Sequence, residues 1–195
     1  MKRLNIKITG IVQGVGFRPF VYNLAQRCHL GGFILNNAAG VELEVEGHTN
    51  DVDAFASALV AEAPPLAHID EVAVKDIPLQ GDRTFVIKGS VGAAAKTALV
   101  SPDVATCADC IRELNDPFDR RYRYPFINCT NCGPRYSIVK DVPYDRSATT
   151  MAGFTMCSHC QSEYDNPADR RFHAQPNACA RCGPACTLLD SQGNE

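Results

Sequence analysis

Apolar and polar positions follow two different periods over the first ninety residues. Leu4, Ile6 and Ile8 recur at every second position, as do Val41, Leu43 and Val45, which are interleaved with Glu42, Glu44 and Glu46. A period of two buries one face of a strand and leaves the other in water. Val21, Leu24, Ala25 and Cys28 instead make a helical stripe, and Val52, Phe55, Ala56, Leu59 and Val60 make a second, with Asn50 or Asp51 placed to cap it. Apolar runs at Phe33 to Leu35, Ile69 to Val74 and Phe85 to Ile87 add three strands. The order strand, helix, strand, strand, helix, strand, strand predicts an α+β fold, a ferredoxin-like split α/β sandwich with a short extra strand.

Beyond residue 90 this patterning stops. Gly89 to Thr106 is rich in small residues and has no clear period, so residues 91–106 are expected to be a linker after a domain spanning 1–90. From Cys107 the chain repeats at a period of 50, the segment starting at Cys107 aligning without a gap to the one starting at Cys157. Two small modules are predicted, at 107–140 and 157–190. Their connector, 141–156, has too few apolar residues for its own core, and a strand is expected just before it at Tyr136 to Lys140.

Cysteine usage gives the repeat its chemistry. Each copy is C-x2-C-x18-C-x2-C, formed by Cys107, Cys110, Cys129 and Cys132 and again by Cys157, Cys160, Cys179 and Cys182. Two thiolates three residues apart can share one ion, and the second pair completes a tetrahedron. The N-terminus has no signal-peptide pattern, and a reducing cytoplasmic location is expected, which favours metal over disulfides. A closed four-thiolate site suits structural zinc, so two Zn2+ are expected; rubredoxin-like iron is the rival, separable by colour. Gly133 and Gly183 follow the second pairs, where positive φ would turn N–H groups toward sulfur. Arg120-Arg121 and Arg170-Arg171 are expected to offset the charge of their own sites. His159 and His173 are expected to be spectators, and Cys28 a core residue. Cys186 is expected on a half-buried strand, with a substitute-ligand role as the alternative.

Charge narrows the partners. The net charge is −3, and residues 91–195 carry 11 basic and 12 acidic side chains, which argues against nucleic acid or an anionic membrane as partner. No stretch approaches 18 consecutive apolar residues.

The turn after the first strand, Gly10 to Pro19, contains three glycines and ends in Arg18-Pro19. Converging backbone N–H groups, a helix N-terminus and a forked guanidinium together suit an anion. Gly10, Val12, Gln13-Gly14-Val15 and Phe17-Arg18 resemble the G-x-V-Q-G-V-x-F-R signature of acylphosphatases, and Gly32 to Asn36 is similar to that family's G-W-V-x-N strand, with Phe33 replacing tryptophan. The resemblance implies that Gln13, Gly14, Val15, Gly16, Phe17 and Arg18 bind phosphate and that Asn36 orients the attacking water, making Arg18 and Asn36 catalytic. Taken alone, Asn36-Asn37 before Ala38-Ala39-Gly40 reads as a hairpin turn.

An acylphosphatase-like domain followed by two such modules resembles the HypF family of NiFe-hydrogenase maturation carbamoyltransferases. Arg121 to Thr130 and Asp169 to Pro176 carry that likeness alongside Gly14 to Phe20. It implies carbamoyl phosphate as substrate, hydrolysed to phosphate and carbamate, with ATP used and a HypE-type acceptor protein reached only through later domains that this chain does not contain. The ending Thr187 to Glu195 suggests a cut in a longer protein, with a naturally short protein as the alternative. A non-catalytic anion-binding and partner-docking module, and a free-standing acylphosphatase with a zinc appendage, are the other functional readings.

Overall fold

Alternating side chains need a second layer over their apolar face, and two helices of the first domain supply it. The computed structural model describes residues 1–92 and 97–194. The elements run β1 (Lys2–Ile11), α1 (Phe17–Arg27), β2 (Gly31–Asn36), β3 (Gly40–Gly47), α2 (Thr49–Ala61), β4 (His68–Asp76) and β5 (Phe85–Ile87). The sheet order is β4-β1-β3-β2-β5, antiparallel except for the β2–β5 pair. Leu4 faces Val45, Ile6 faces Leu43 and Ile8 faces Val41, so the period-two residues of β1 and β3 meet in register. Val21, Leu24, Val52, Phe55 and Leu59 cover this face from the two helices. The split sandwich expected from the periodicity is the observed fold.

Three local expectations change. Helix α2 starts at Thr49 with His48 at its N-cap and no side-chain cap, so neither Asn50 nor Asp51 caps it. Val60 is half exposed, and the buried stripe of α2 is Val52, Phe55 and Leu59. Cys28 is a half-buried residue at the C-cap of α1, packed at the edge of the core.

Each cysteine module opens with a helix immediately after its first ligand position, α3 (Ala108–Asn115) and α4 (Ser158–Asp165). The modules share a small core in which cysteines alternate with Tyr124, Ile127, Met151 and Ala178. The strand expected at Tyr136 to Lys140 is a 3-10 turn at Tyr136–Ile138 with one isolated bridge between Val139 and Thr149. No neighbouring strand offers that run a ladder, so it cannot persist as sheet. The stretch after β5 runs back along the first domain: Val91 bridges Asn37, and Val100 bridges Gln13. The second module also docks there, with Phe172 edge-on to Tyr22 at 5.3 Å.

Candidate active site and paired cysteine centres

The loop between β1 and α1 is bent by Gly14 (φ 75) and Gly16 (φ 78), left-handed conformations that glycine adopts without steric cost. This bend delivers Phe17 and Arg18 to the first turn of α1. Among the described residues the backbone N–H groups of Val15, Gly16, Phe17 and Arg18 meet no protein acceptor. Together with the helix N-terminus they form a cradle for an anion. Arg18, on α1, and Asn36, at the end of β2, are both buried beside it. The Asn36 Oδ1 is a buried acceptor with no protein partner.

The rest of the site comes from far along the chain. The Tyr144 carbonyl accepts from Arg18 Nη2 at 3.1 Å and from Asn36 Nδ2 at 3.4 Å. Asp145 Oδ1 lies 2.8 Å from the same Arg18 Nη2. Gln13 pins this strap: its Oε1 accepts from the Tyr144 N–H at 2.7 Å, while its Nε2 donates to the carbonyls of Asn37 and Gly40. The Gln13 side chain is therefore committed to holding the strap and the β2–β3 hairpin. Arg146 anchors the other end of the strap, donating to the carbonyls of Gln175, Asn177 and Phe154. Thr130 and His173 complete a narrow cleft with free space of about 30 Å3. Burial pushes the His173 imidazole down to about 4, and the Arg18 charge acts in the same direction. The expected connector thus roofs the candidate site.

The eight cysteines fall into the two expected sets, and the four Sγ atoms of each lie within 4.8 Å of one another. Cys107 and Cys129 are 3.6 Å apart, Cys129 and Cys132 3.9 Å, Cys179 and Cys182 3.8 Å, and Cys160 and Cys182 3.6 Å. Four thiolates about 2.3 Å from a central Zn2+ stand about 3.8 Å apart, so the residues fit that ion in both sets. Neither histidine belongs to a set. Cys186 is exposed, outside both sets and in no strand. Gly133 has the expected positive φ of 68, whereas Gly183 does not; a Cβ there would collide with Tyr124 Oη and Ala178. Space, not backbone sign, requires that second glycine.

The arginine doublets serve each other's centres. Arg120 Nη2 donates to Cys160 Sγ at 3.2 Å and Arg170 Nη1 to Cys110 Sγ at 2.9 Å. Arg120 and Arg121 also meet Glu163 of α4, and Arg170 and Arg171 meet Glu113 of α3. Arg121 Nε donates to the Ala178 carbonyl, and Arg171 Nε to the Asn128 carbonyl, each just before the partner module's third cysteine. The expectation that each doublet offsets its own site is corrected: the duplicated modules pack face to face, so each doublet reaches across. Burial opposes ionisation of Glu163, but the hydrogen bonds from Arg121 and Arg120 outweigh it and hold its carboxyl at about 2.

Fold, cradle and cysteine sets define an acylphosphatase domain joined to paired zinc-finger modules. Residues 4–87 match the acylphosphatase family, and residues 106–139 and 156–189 match the HypF finger. The acylphosphatase of Thermotoga petrophila is 38% identical over 89 residues, 45% of this chain and 98% of that protein, so through its first domain the chain belongs to the acylphosphatase family. As a whole it corresponds to the N-terminal region of the HypF carbamoyltransferases. The carbamoyltransferase HypF of Rhizobium leguminosarum is 48% identical over 152 residues, 78% of this chain and 20% of that protein. A crystal structure of full-length HypF in a phosphate- and nucleotide-bound form superposes with a TM-score of 0.90 at 50% identity, covering 97% of this chain and 26% of that one. The chain spans about a fifth of the length of the curated carbamoyltransferases that it matches.

Arg18 and Asn36 are brought together as their motif implied. Tyr144, Asp145, Thr130 and His173 were missed as site residues. Thr130 and His173 lie within the two finger motifs, whose likeness points to the family and not to this cleft, and Tyr144 and Asp145 carry no local signal.

Proposed function

We propose that this chain binds carbamoyl phosphate and hydrolyses its acyl phosphate bond as the first part of a carbamoyltransferase. The cradle N–H groups and Arg18 hold the phosphoryl group and offset the charge that builds on it. Asn36 Oδ1 accepts a hydrogen bond from a water and places its oxygen toward phosphorus. The new P–O bond forms as the bond to the carbamoyl oxygen breaks. The leaving group keeps that electron pair, so the products are phosphate and carbamate, with the water protons passing to phosphate and solvent. An acyl phosphate carries a good leaving group, so positioning and charge stabilisation suffice without a strong general base. A carboxylate in place of Asn36 would repel the phosphate.

The observation that supports this best is that one atom, the Tyr144 carbonyl oxygen, bonds both Arg18 and Asn36, setting the anion holder and the water holder side by side. In this reading the eight cysteines hold two structural Zn2+, and the chain divides at 90 and 107. It works in the cytoplasm and passes carbamate to later domains of the longer relatives, where ATP and a HypE-type acceptor act. The test is phosphate release from carbamoyl phosphate and acetyl phosphate by the purified chain. Arg18→Ala should cut release about a hundredfold or more, as removal of a transition-state donor does, and Asn36→Ala should cut it about as much by leaving the attacking water unplaced. Unchanged release in either variant would remove that residue from the mechanism.

A further inference from the structure

The connector grips Arg18 by one nitrogen. Nη2, which carries two N–H groups, meets two acceptors, the Tyr144 carbonyl at 3.1 Å and Asp145 Oδ1 at 2.8 Å, whereas Nη1 makes only a 3.5 Å contact with Ser90 Oγ. The two pockets that Arg18 borders set the direction of that grip. The cradle cleft is lined by the glycine loop, Asn36 and Tyr144 but not by Asp145, which lines a second pocket with Lys88, Arg146 and Tyr164. The carboxylate therefore holds the guanidinium from the side away from the cradle.

Affinity for phosphate does not explain this carboxylate, because a negative charge beside Arg18 opposes any anion. A chance ion pair on the surface does not explain it either. The Arg18 and Asp145 side chains are 9% and 27% exposed, and the strap is anchored on both sides of Asp145. Gln13 Oε1 accepts from the Tyr144 N–H at 2.7 Å, and the Arg146 N–H donates to Gln175 Oε1 at 2.8 Å while its guanidinium binds three carbonyls. What the contact supplies is orientation. An arginine side chain has many rotamers to lose, and a small misplacement of a group that must meet a phosphoryl oxygen costs rate steeply. Resting on the proposed hydrolysis of carbamoyl phosphate, we infer that Asp145 is a positioning residue that locks the Arg18 guanidinium from behind. The finger connector then pre-organises the acylphosphatase site.

The sign of the effect tests this, since removing a charge and removing a support act on Arg18 in opposite directions. In Asp145→Ala, calorimetric titration of the full chain with inorganic phosphate should show binding as tight as before or tighter. The kcat for phosphate release from carbamoyl phosphate should nevertheless fall about ten- to a hundredfold. Asp145→Asn keeps an acceptor and should recover part of kcat. Circular dichroism and zinc content check that both variants are folded. A kcat that rises would make Asp145 only a competing anion, and an unchanged one would make it a bystander; either overturns the inference. So would a joint fall in kcat and phosphate affinity, which marks lost structure. The Arg18 side chain gives a second readout that needs no turnover. In nitrogen NMR its Nη1 and Nη2 signals, identified by their loss in Arg18→Lys, should be separate in the unaltered chain and merge in Asp145→Ala. Signals separate in both proteins, or merged in both, would overturn the inference. Absence of phosphate release from every protein, with that merging observed, would remove the hydrolytic function and keep the positioning.

Discussion

Among the described residues the five-stranded domain buries eighteen apolar side chains in one cluster, whereas the cluster of the paired modules holds seven buried residues, three of them cysteines that belong to the ligand sets. At about 1.5 to 3 kcal/mol for each buried aliphatic side chain, the first region spreads its stability over many small contributions. The second concentrates it, since a structural zinc site is worth about 10 to 16 kcal/mol in such modules and the ligands act together. The crossed arginines add a further difference. The bonds from Arg120-Arg121 to Cys160, Glu163 and the Ala178 carbonyl have counterparts from Arg170-Arg171 to Cys110, Glu113 and the Asn128 carbonyl, while the Arg121 bond to Asn177 has none, because Ile127 stands at the matching position. One region should lose stability by degrees and the other as a unit.

Cys129→Ser should break this comparison most sharply. Removing one thiolate should abolish metal binding in the first module, a loss on the order of 10 kcal/mol, and unfold it. Native mass spectrometry should find two Zn2+ in the unaltered chain and at most one in the variant, while the sheet keeps its own thermal transition. Loss of that transition would show that the first domain depends on the fingers. Leu43→Ala is the reverse experiment, since Leu43 is fully buried opposite Ile6. It should cost the sheet about 3 to 5 kcal/mol and leave zinc content unchanged.

Glu163→Ala sharpens the coupling between modules. It leaves Arg121, 2% exposed, without its carboxylate, and breaking a buried pair costs about 3 to 5 kcal/mol. Because Arg121 belongs to the first module and Glu163 to the second, both should melt together at a lower temperature. A drop confined to the second module would refute the coupling.

The smallest effect should come from His173. Its folded value of about 4 lies below the unfolded value of about 6.5, so between those pH values the unfolded chain binds the extra proton. Stability from the neutral imidazole is present above about pH 6.5 and is lost as pH falls toward 4. His173→Asn tolerates the same left-handed backbone (φ 53) and should flatten that part of the pH dependence in chemical denaturation. Identical slopes in both proteins would place the proton elsewhere.

The two regions also differed in how much could be read from residue order. In the first domain, the strand at Phe85–Ile87 was legible because it buries Phe85, and the one over Ile69 to Val74 from its apolar run, although only Ile69 and Val72 are half-buried and Val74 is exposed. The start of α2 was not, since no side chain caps it and Thr49, Asn50 and Asp51 offer competing signals. In the fingers the ligand sets were legible because three-residue spacing alone lets two thiolates meet. The strand expected at Tyr136 to Lys140 failed because an apolar run shows that burial is needed without showing which partner provides it.

Residue order by itself determined the sequence of elements, the glycine-rich loop before α1 and the two sets of four cysteines, which rest on local spacing or on a periodicity that one element carries. The pairing of Arg18 with Asn36 came from the family resemblance of their motifs, since Asn36 alone reads as a turn. Only the tertiary structure decided that each arginine doublet serves the other module and that Tyr144 and Asp145 close over Arg18. Arg120 lies 40 residues from Cys160 and Arg18 lies 126 from Tyr144. Contacts over such separations depend on how whole modules pack, and no short-range pattern of polar and apolar residues encodes which surface will face which.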